Sequence, residues 1–153
     1  MRGLDLQGRE RMKSFIELKI LDIDSLKEHE GVEEERLDAL TSEIKIDGVL
    51  KKAIAVDAET LLIIDGHHRI HALKRLGCKK VPACLFDYSS SEIAVLSWRN
   101  NPGFRKDHLI ASALSGKKLP PRSTRHIVKL EDGEESHISN FEKDVFIPLK
   151  ELQ

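Results

Sequence analysis

Aromatic side chains are scarce in this sequence, and neither sign of charge is in excess. One Trp, one Tyr and five Phe residues among 153 offer little surface for stacking the bases of single-stranded nucleic acid. Lys and Arg together number 25 and Asp and Glu 26, which gives a formal net charge of −1. Nucleic-acid-binding proteins usually carry a basic excess. The composition therefore argues against nucleic acid as a partner.

Cysteines and long apolar runs are also lacking. Cys78 and Cys84 are the only two cysteines, and they lack the CxxC spacing of a zinc or redox site, so we expect both to be small buried hydrophobes. No apolar run reaches about 18 residues, and no signal-peptide segment is recognisable. These absences predict a cytoplasmic protein that has no disulfide and no membrane-spanning helix.

The pattern of apolar residues predicts one mixed α/β domain. A length of 153 residues suffices for one hydrophobic core and is short for two. Residues 1–13 are polar and lack periodicity, which predicts a flexible N-terminal extension, and no linker divides residues 14–153. Predicted strands cover residues 15–20, 51–56, 61–64, 81–86, 92–98, 126–130 and 145–149, and predicted helices cover residues 33–46, 67–76 and 106–115.

A short sequence around Gly66 joins a predicted strand directly to a predicted helix that ends at Gly77. The first turn of a helix has unpaired backbone N–H groups and the positive end of the helix dipole. Glycine lets a ligand approach the backbone, and the next side chains add donors. This combination is typical of an anion site, most plausibly for phosphate. Its members are Gly66, His67, His68 and Arg69.

Asp65 is the one carboxylate at this strand–helix junction, which we call the corner. It would repel a phosphate unless a cation such as Mg²⁺ lay between them. Asp65 is therefore the predicted ligand of a magnesium ion. A zinc site on His67, His68 and His71 is an alternative, because these residues are three or four positions apart on a helix. Since no Cys or third well-spaced ligand is near in the sequence, Mg²⁺ fits better than Zn²⁺.

The motif Asp65-Gly66-His67-His68-Arg69, followed by an amphipathic helix, Gly77 and Val81-Pro82, resembles the core motif of the ParB/sulfiredoxin superfamily. The resemblance covers residues 14–130 and implies a single ParB/sulfiredoxin-like domain with a mixed sheet flanked by helices. Sulfiredoxins have their nucleophilic Cys at the position of His67, so their redox chemistry is not implied. Partition proteins of the ParB type have Gly-Glu-Arg/His-Arg there and bind CTP. The doubled histidine is most similar to free-serine kinases, which phosphorylate L-serine with ADP or ATP.

A second basic cluster lies at residues 121–126, Pro-Arg-Ser-Thr-Arg-His. By spacing alone it fits a solvated loop as well as an anion site. It also resembles the Ser-Pro-Lys-Thr-Thr-Arg-His stretch of free-serine kinases. That resemblance implies that Thr124, Arg125 and His126 hold the terminal phosphates of the nucleotide, and that Arg125 neutralises charge during transfer.

Glu30 follows His29 just before the first predicted long helix, where a Glu is ordinarily a surface residue. Free-serine kinases have a Pro-His-Glu stretch there, and its Glu is the catalytic base. The resemblance therefore implies that Glu30 contacts serine and accepts its hydroxyl proton. Glu28 stands where the Pro would be, which is a departure from the pattern.

Three further roles follow from the resemblance. Trp98, otherwise a core residue, would lie near the serine. Thr41 and Ser42, on the exposed side of the first long helix, would donate to phosphate, as hydroxyls do at this place in sulfiredoxins. The catalytic residues would be Glu30, Asp65 and His67. The implied nucleotide-binding set is Ser42, Gly66, His67, His68, Arg69, Thr124, Arg125 and His126.

Two other activities occur in the superfamily. A regulatory or DNA-partition module normally needs a helix-turn-helix region after the corner domain, and residues 100–153 contain one short predicted helix. A nuclease would use Asp65 and His67 on DNA, and the near-zero net charge argues mildly against it. The sequence thus favours a magnesium-dependent kinase that makes O-phospho-L-serine, with ADP and ATP both open as donors and no indication of oligomeric state.

Overall fold

The computed structural model describes residues 16–97 and 105–153. Within these ranges the chain forms three α-helices, α1 (Glu34–Asp47), α2 (His67–Arg75) and α3 (Lys106–Ser115). The strands are β1 (Glu17–Asp22), β2 (Val49–Lys52), β3 (Ile54–Asp57), β4 (Ile63–Asp65), β5 (Lys80–Phe86), β6 (Ile93–Ser97), β7 (Thr124–Lys129), β8 (Glu135–His137) and β9 (Asp144–Pro148). Short 3₁₀ helices cover Ile23–Ser25, Ile138–Phe141 and Leu149–Glu151.

The central sheet has the strand order β1-β5-β3-β4. Strands β3 and β5 are parallel, whereas β1 pairs with β5 and β4 pairs with β3 in antiparallel fashion. Strand β3 is buried throughout, and successive side chains of a strand point to opposite faces. Accordingly Ile54 and Val56 pack with α1 and α2, and Ala55 packs in a second core cluster on the other face.

The second face of the central sheet is covered by the chain after residue 86. Its three-stranded antiparallel sheet has the order β6-β7-β8, and Val128 and Phe141 join Ala55 in the second core cluster. Strands β2 and β9 form a separate antiparallel pair. The central sheet thus lies between a helical layer and a smaller β layer, and the carboxyl end of β4 lies at their junction.

Most predicted elements are confirmed, with two corrections. The strand predicted at residues 51–56 is split into β2 and β3, because the N–H of Ala53 donates to the carbonyl of Lys143 (3.0 Å) between them. Strand β8 lies within residues 131–140, where no strand was predicted. Cys78 and Cys84 are buried free thiols, as expected. In the described ranges no helix combines the length and apolar character needed to cross a membrane.

Candidate active site

A cavity of about 660 Å³ lies where the strand–helix corner meets α1 and β7. Its wall is strongly polar: among the described residues, four cationic and four acidic side chains line it together with four histidines. The cationic residues are Arg36, Lys52, Arg69 and Arg122, the acidic residues are Glu30, Glu43, Asp65 and Glu142, and the histidines are His67, His68, His126 and His137.

The predicted corner is present, and Gly66 is what allows it. Gly66 has φ 119°, a left-handed conformation that side-chain-bearing residues rarely adopt. A Cβ there would lie 2.5 Å from Cγ2 of Ile54. The chain therefore turns from β4 into α2 without steric conflict only because this position is glycine. The turn sets His67 and His68 in the first turn of α2, and both line the cavity.

Arg69 binds protein groups inside the corner. Its Nη2 donates to Asp65 Oδ2 (3.1 Å) and to Glu142 Oε1 (2.9 Å), and its Nη1 donates to the carbonyl of Ala53 (2.7 Å). The Arg69 side chain is 16% exposed and that of Glu142 is 0% exposed. Arg69 also lines the cavity, so its predicted phosphate contact stays a prediction, although both of its terminal nitrogens are bonded within the protein.

The two carboxylates beside Arg69 differ in charge. Burial raises the pKa of Glu142 well above its ordinary value, and the nearby charge of Asp65 raises it further, although Arg69 opposes this. Burial would also raise the pKa of Asp65, but a hydrogen bond with Glu142 and the charge of Arg69 hold it below its ordinary value. Asp65 is therefore the ionised partner and the better ligand for a cation.

Glu30 is held by donors at the start of β7. Its Oε1 accepts from the N–H of Ser123 (3.1 Å), the N–H of Thr124 (2.9 Å) and the hydroxyl of Thr124 (2.9 Å). These three contacts all reach one oxygen, so they do not involve Oε2. Burial raises the pKa of Glu30 above its ordinary value, and the bonds from Thr124 and Ser123 only partly offset this.

Backbone pairing brings the Glu30 loop and the second basic cluster together. The N–H of Gly31 donates to the carbonyl of Leu119 (2.8 Å), and the N–H of Leu119 donates to the carbonyl of His29 (2.8 Å). These bonds join segments that are about ninety residues apart in the chain. The two stretches singled out by the sequence therefore meet at one wall of the cavity.

Glu28, which replaces the Pro expected from the resemblance, is anchored by side chains. It contacts Nε2 of His71 on α2, and Nζ of Lys118 lies 3.4 Å from its Oε1. Burial would raise the pKa of Glu28, but the hydrogen bond and charge of His71 and the charge of Lys118 lower it. His71 is thus engaged with Glu28. In the described part of the chain no three His, Cys, Asp or Glu side chains converge to hold a metal, which argues against the zinc alternative.

Strand geometry separates Arg125 from its two neighbours on β7. Thr124 and His126 line the cavity, and Arg125 between them does not, because alternate residues of a strand point to opposite faces. Two other arginines line the cavity instead: Arg36 in the first turns of α1, and Arg122, which has a left-handed φ of 57°. Arg122 belongs to the basic cluster at residues 121–126, and no sequence pattern indicated Arg36.

Helix geometry places Ser42 outside the cavity lining. The face of α1 that lines the cavity carries Arg36, Leu40 and Glu43. Ser42 is exposed and outside the lining, because six residues at 3.6 per turn place it about 240° from Arg36. The neighbouring Thr41 hydroxyl donates to the carbonyl of Leu37 (2.7 Å) within the helix. Trp98 lies outside the described residues, so its role stays a prediction.

His67 and His126 at the cavity wall form one cluster with the buried His29. The ring centroids of His29 and His67 are 4.7 Å apart, and those of His29 and His126 are 5.8 Å apart. Burial lowers the pKa of His29 to about 4 and that of His126 to about 3, and it lowers the pKa of His67 well below its ordinary value. Near neutral pH these rings are uncharged, so they offer N–H dipoles to an anion and no formal charge.

The neutral histidines predict loss of stability in acid. As the pH falls below about 6.5, the unfolded chain protonates His126 while the folded chain, with a pKa of about 3, does not, so the free energy of unfolding falls. Between pH 7 and pH 5 the loss from this residue is about 2 kcal/mol. Glu30 and Glu142, whose pKa values are raised, act in the opposite direction.

Comparison of the parent with His126→Asn isolates the contribution of His126 to the loss of stability in acid. Urea unfolding at pH 7 and pH 5 gives the free energy of unfolding of the parent and of His126→Asn at each pH. The carboxylates contribute to both proteins, so their contribution cancels in the comparison. We expect the parent to lose about 2 kcal/mol more than the variant over this range. Equal losses in the two proteins would show that the folded chain protonates His126 at its ordinary pKa.

Comparisons with known proteins relate this chain to one domain family and to serine kinases. The ParB N-terminal domain family matches residues 5–101. The chain is 37% identical over 87 residues to an ATP-dependent L-serine kinase of Staphylothermus marinus, a match that covers 54% of this chain and 34% of that protein. It is 29% identical over 96 residues to the ADP-dependent L-serine kinase SerK of Thermococcus kodakarensis, covering 60% of this chain and 39% of that protein. The chain thus spans little more than a third of the length of these curated relatives.

A solved structure has the same fold as this chain. Free serine kinase in complex with AMP superposes on this chain with a TM-score of 0.73 at 16% identity, over 90% of this chain and 94% of that one. This likeness confirms the expected mixed α/β fold. Because the family match covers more than half of the sequence, this protein belongs to the ParB N-terminal domain family.

Proposed function

We propose that this protein is a free L-serine kinase, which transfers a phosphoryl group from ADP or ATP to the hydroxyl of L-serine and gives O-phospho-L-serine. The observation that carries the proposal is that Glu30 and Asp65 line one cavity from separate elements. One carboxylate suits removal of a proton and the other suits a metal ion, and phosphoryl transfer uses both. The relatives and the structural neighbour that are named serine kinases support the same reading.

Glu30 is the proposed general base. In the proposed reaction the serine oxygen bonds to the terminal phosphorus of the nucleotide while the bond from that phosphorus to the bridging oxygen breaks. The hydroxyl proton passes to Glu30, and AMP or ADP leaves. Burial raises the pKa of Glu30, which brings its proton affinity closer to that of an efficient base near neutral pH. The donors on Oε1 fix the carboxylate before the substrate binds.

The phosphates of the nucleotide are proposed to bind between α1, the start of α2 and β7. Arg36 and Arg122 supply positive charge there, and the free N–H groups of the first turn of α2 supply donors. Thr124, His68 and His126 complete the set that the sequence predicted at this wall. Three residues of the predicted set are left out. Ser42 is turned away from the cavity, Arg69 is bonded within the protein, and Arg125 is on the opposite face of β7.

The residues present fit a magnesium ion. Mg²⁺ in phosphoryl-transfer sites is held by one or two carboxylates, with phosphate oxygens and water completing its shell. Asp65 provides an ionised carboxylate at the cavity, and Arg69 and Glu142 hold it in place. When bound, the ion would neutralise charge on the transferring phosphoryl group.

A donor and acceptor panel tests the proposed activity. The purified chain is incubated with Mg²⁺, either ADP or ATP, and L-serine, D-serine or L-threonine, and the phosphorylated amino acid is measured by mass spectrometry. We expect O-phospho-L-serine with at least one donor and its loss when EDTA removes the metal. Nucleotide binding without phosphorylation of any acceptor would contradict the proposal and favour a regulatory nucleotide-binding module.

A further inference from the structure

We propose that Tyr88, a residue outside the cavity lining, is a positioning residue that holds His126 in the tautomer with its proton on Nδ1. Tyr88 is 1% exposed and His126 is 3% exposed, and only His126 lines the cavity. The Tyr88 hydroxyl oxygen lies 2.8 Å from Nε2 of His126. Tyr88 therefore contacts the ring from behind the cavity wall.

The direction of this hydrogen bond follows from the buried hydroxyl. Within the described part of the chain, the Tyr88 hydroxyl has no other hydrogen-bond partner than His126. If the imidazole donated, the phenolic proton would be a buried donor without an acceptor, which is costly. Tyr88 therefore donates and Nε2 accepts. A neutral imidazole that accepts at Nε2 carries its proton on Nδ1.

The ionisation of both groups agrees with this direction. Burial lowers the pKa of His126 to about 3, so the ring is neutral near pH 7. Burial also raises the pKa of Tyr88 above its ordinary value, so the phenol keeps its proton. The Nδ1–H of His126 has no acceptor among the described residues and remains for a ligand in the cavity.

Tyr88 is itself held in place by neighbours outside the cavity. Its backbone N–H donates to Asp57 Oδ1 (3.1 Å). Nζ of Lys106 lies 5.1 Å from the centre of its ring and donates to the carbonyl of Ser90 (2.8 Å). These contacts restrict both the backbone and the ring, so the hydroxyl is presented to His126 from a fixed position.

Two further histidines of the cavity follow the same pattern. Nε2 of His68 accepts from the backbone N–H of Glu33 (3.0 Å), and Nε2 of His67 accepts from the backbone N–H of His29 (3.3 Å). In all three rings a protein donor occupies Nε2 and leaves Nδ1 protonated. The site thus presents neutral N–H donors to an anion, and only at His126 is the controlling donor a side chain that a substitution can remove.

The tautomer is measured in the protein without a ligand, so this test does not depend on whether the protein phosphorylates serine. Long-range ¹H–¹⁵N spectra of histidine-labelled protein distinguish protonated from unprotonated ring nitrogens. We expect the parent to show His126 with Nδ1 protonated and Nε2 unprotonated, and Tyr88→Phe to gain protonation at Nε2. Lys129→Met, an exposed substitution on β7 outside the cavity lining, is expected to retain the parental spectrum. A parental His126 with its proton on Nε2 would overturn the inference.

The consequence for binding rests on the proposed function, in which the anion is a nucleotide phosphate. We expect Tyr88→Phe to weaken ADP or ATP binding by about 3- to 10-fold, the scale of one hydrogen bond. Asn at position 126 keeps an amide donor near Nδ1 without needing Tyr88. In the His126→Asn background Tyr88→Phe should therefore change affinity by less than about twofold.

The possible outcomes distinguish the positioning role of Tyr88 from the proposed kinase function. If the tautomer is as expected and neither nucleotide binds, the proposed kinase function fails and the assignment of His126 stands. If both nucleotides bind and Tyr88→Phe alters neither tautomer nor affinity, the positioning role of Tyr88 is refuted. The same holds if Tyr88→Phe weakens binding equally in the parent and in the His126→Asn background, since its effect would then not pass through His126.

Discussion

Glu30→Gln is expected to lower the turnover of serine phosphorylation by about 10²–10⁴-fold, the usual contribution of a general base. The amide oxygen of Gln can still accept the hydrogen bonds that Ser123 and Thr124 donate to Oε1, so the local structure should persist. The variant has no group that can take the serine proton. Nucleotide affinity should therefore change little while the maximal rate falls.

Glu35→Gln is the matched control, because Glu35 is an exposed glutamate on α1 outside the cavity lining. Its turnover should stay within about twofold of the parent, as expected for a surface substitution. The maximal rate and the nucleotide dissociation constant are measured for both variants. Parental turnover in Glu30→Gln would place the base elsewhere. The nearby carboxylate of Glu28 contacts His71 and Lys118 and does not line the cavity.

Arg69→Met is expected to destabilise the fold by about 3–5 kcal/mol, the usual cost of removing one member of a buried ion pair. Arg69 is the cation that bonds both Asp65 and the fully buried Glu142. Without it, Glu142 keeps its burial cost and loses its partner. In Arg69→Met with Glu142→Leu no buried carboxyl group is left without its donor at position 142, and this double variant should recover at least about half of the lost stability.

Arg75→Met provides the comparison on the same helix. Arg75 also pairs with two carboxylates, Asp38 (2.6 Å) and Glu34 (2.7 Å), but these partners are exposed. Solvent screens such pairs, so only a small loss is expected. Stability is measured by urea unfolding of all four proteins. Equal losses in Arg69→Met and Arg75→Met would contradict the view that Arg69 stabilises a buried cluster.

The parts of the site that were predicted from sequence depend on local signals. A strand followed by Gly66 and a run of helical periodicity specifies the corner, because the turn, the glycine and the first turn of α2 are adjacent in the chain. The end of α1 at Gly48, which has φ 70°, is equally local. The position of Asp65 beside the first turn of α2 follows from the same stretch.

The parts that the sequence did not indicate depend on the phase of an element or on distant pairing. The resemblance grouped Arg125 with Thr124 and His126, whereas β7 begins at Thr124 and Arg125 between them does not line the cavity. Ser42 lies outside the cavity lining for the corresponding reason on a helix. Glu142 lies 73 residues from Arg69, and no local pattern indicates a partner at that separation.

The most direct test of the central claim is a ³¹P NMR time course of the purified chain with Mg²⁺, L-serine and either ADP or ATP. The proposed reaction predicts that a phosphoserine resonance grows as the terminal phosphate of the donor disappears, in equal amounts, and that no growth occurs without L-serine. A donor that stays intact with both nucleotides, or a terminal phosphate that appears only as inorganic phosphate, would contradict a serine kinase.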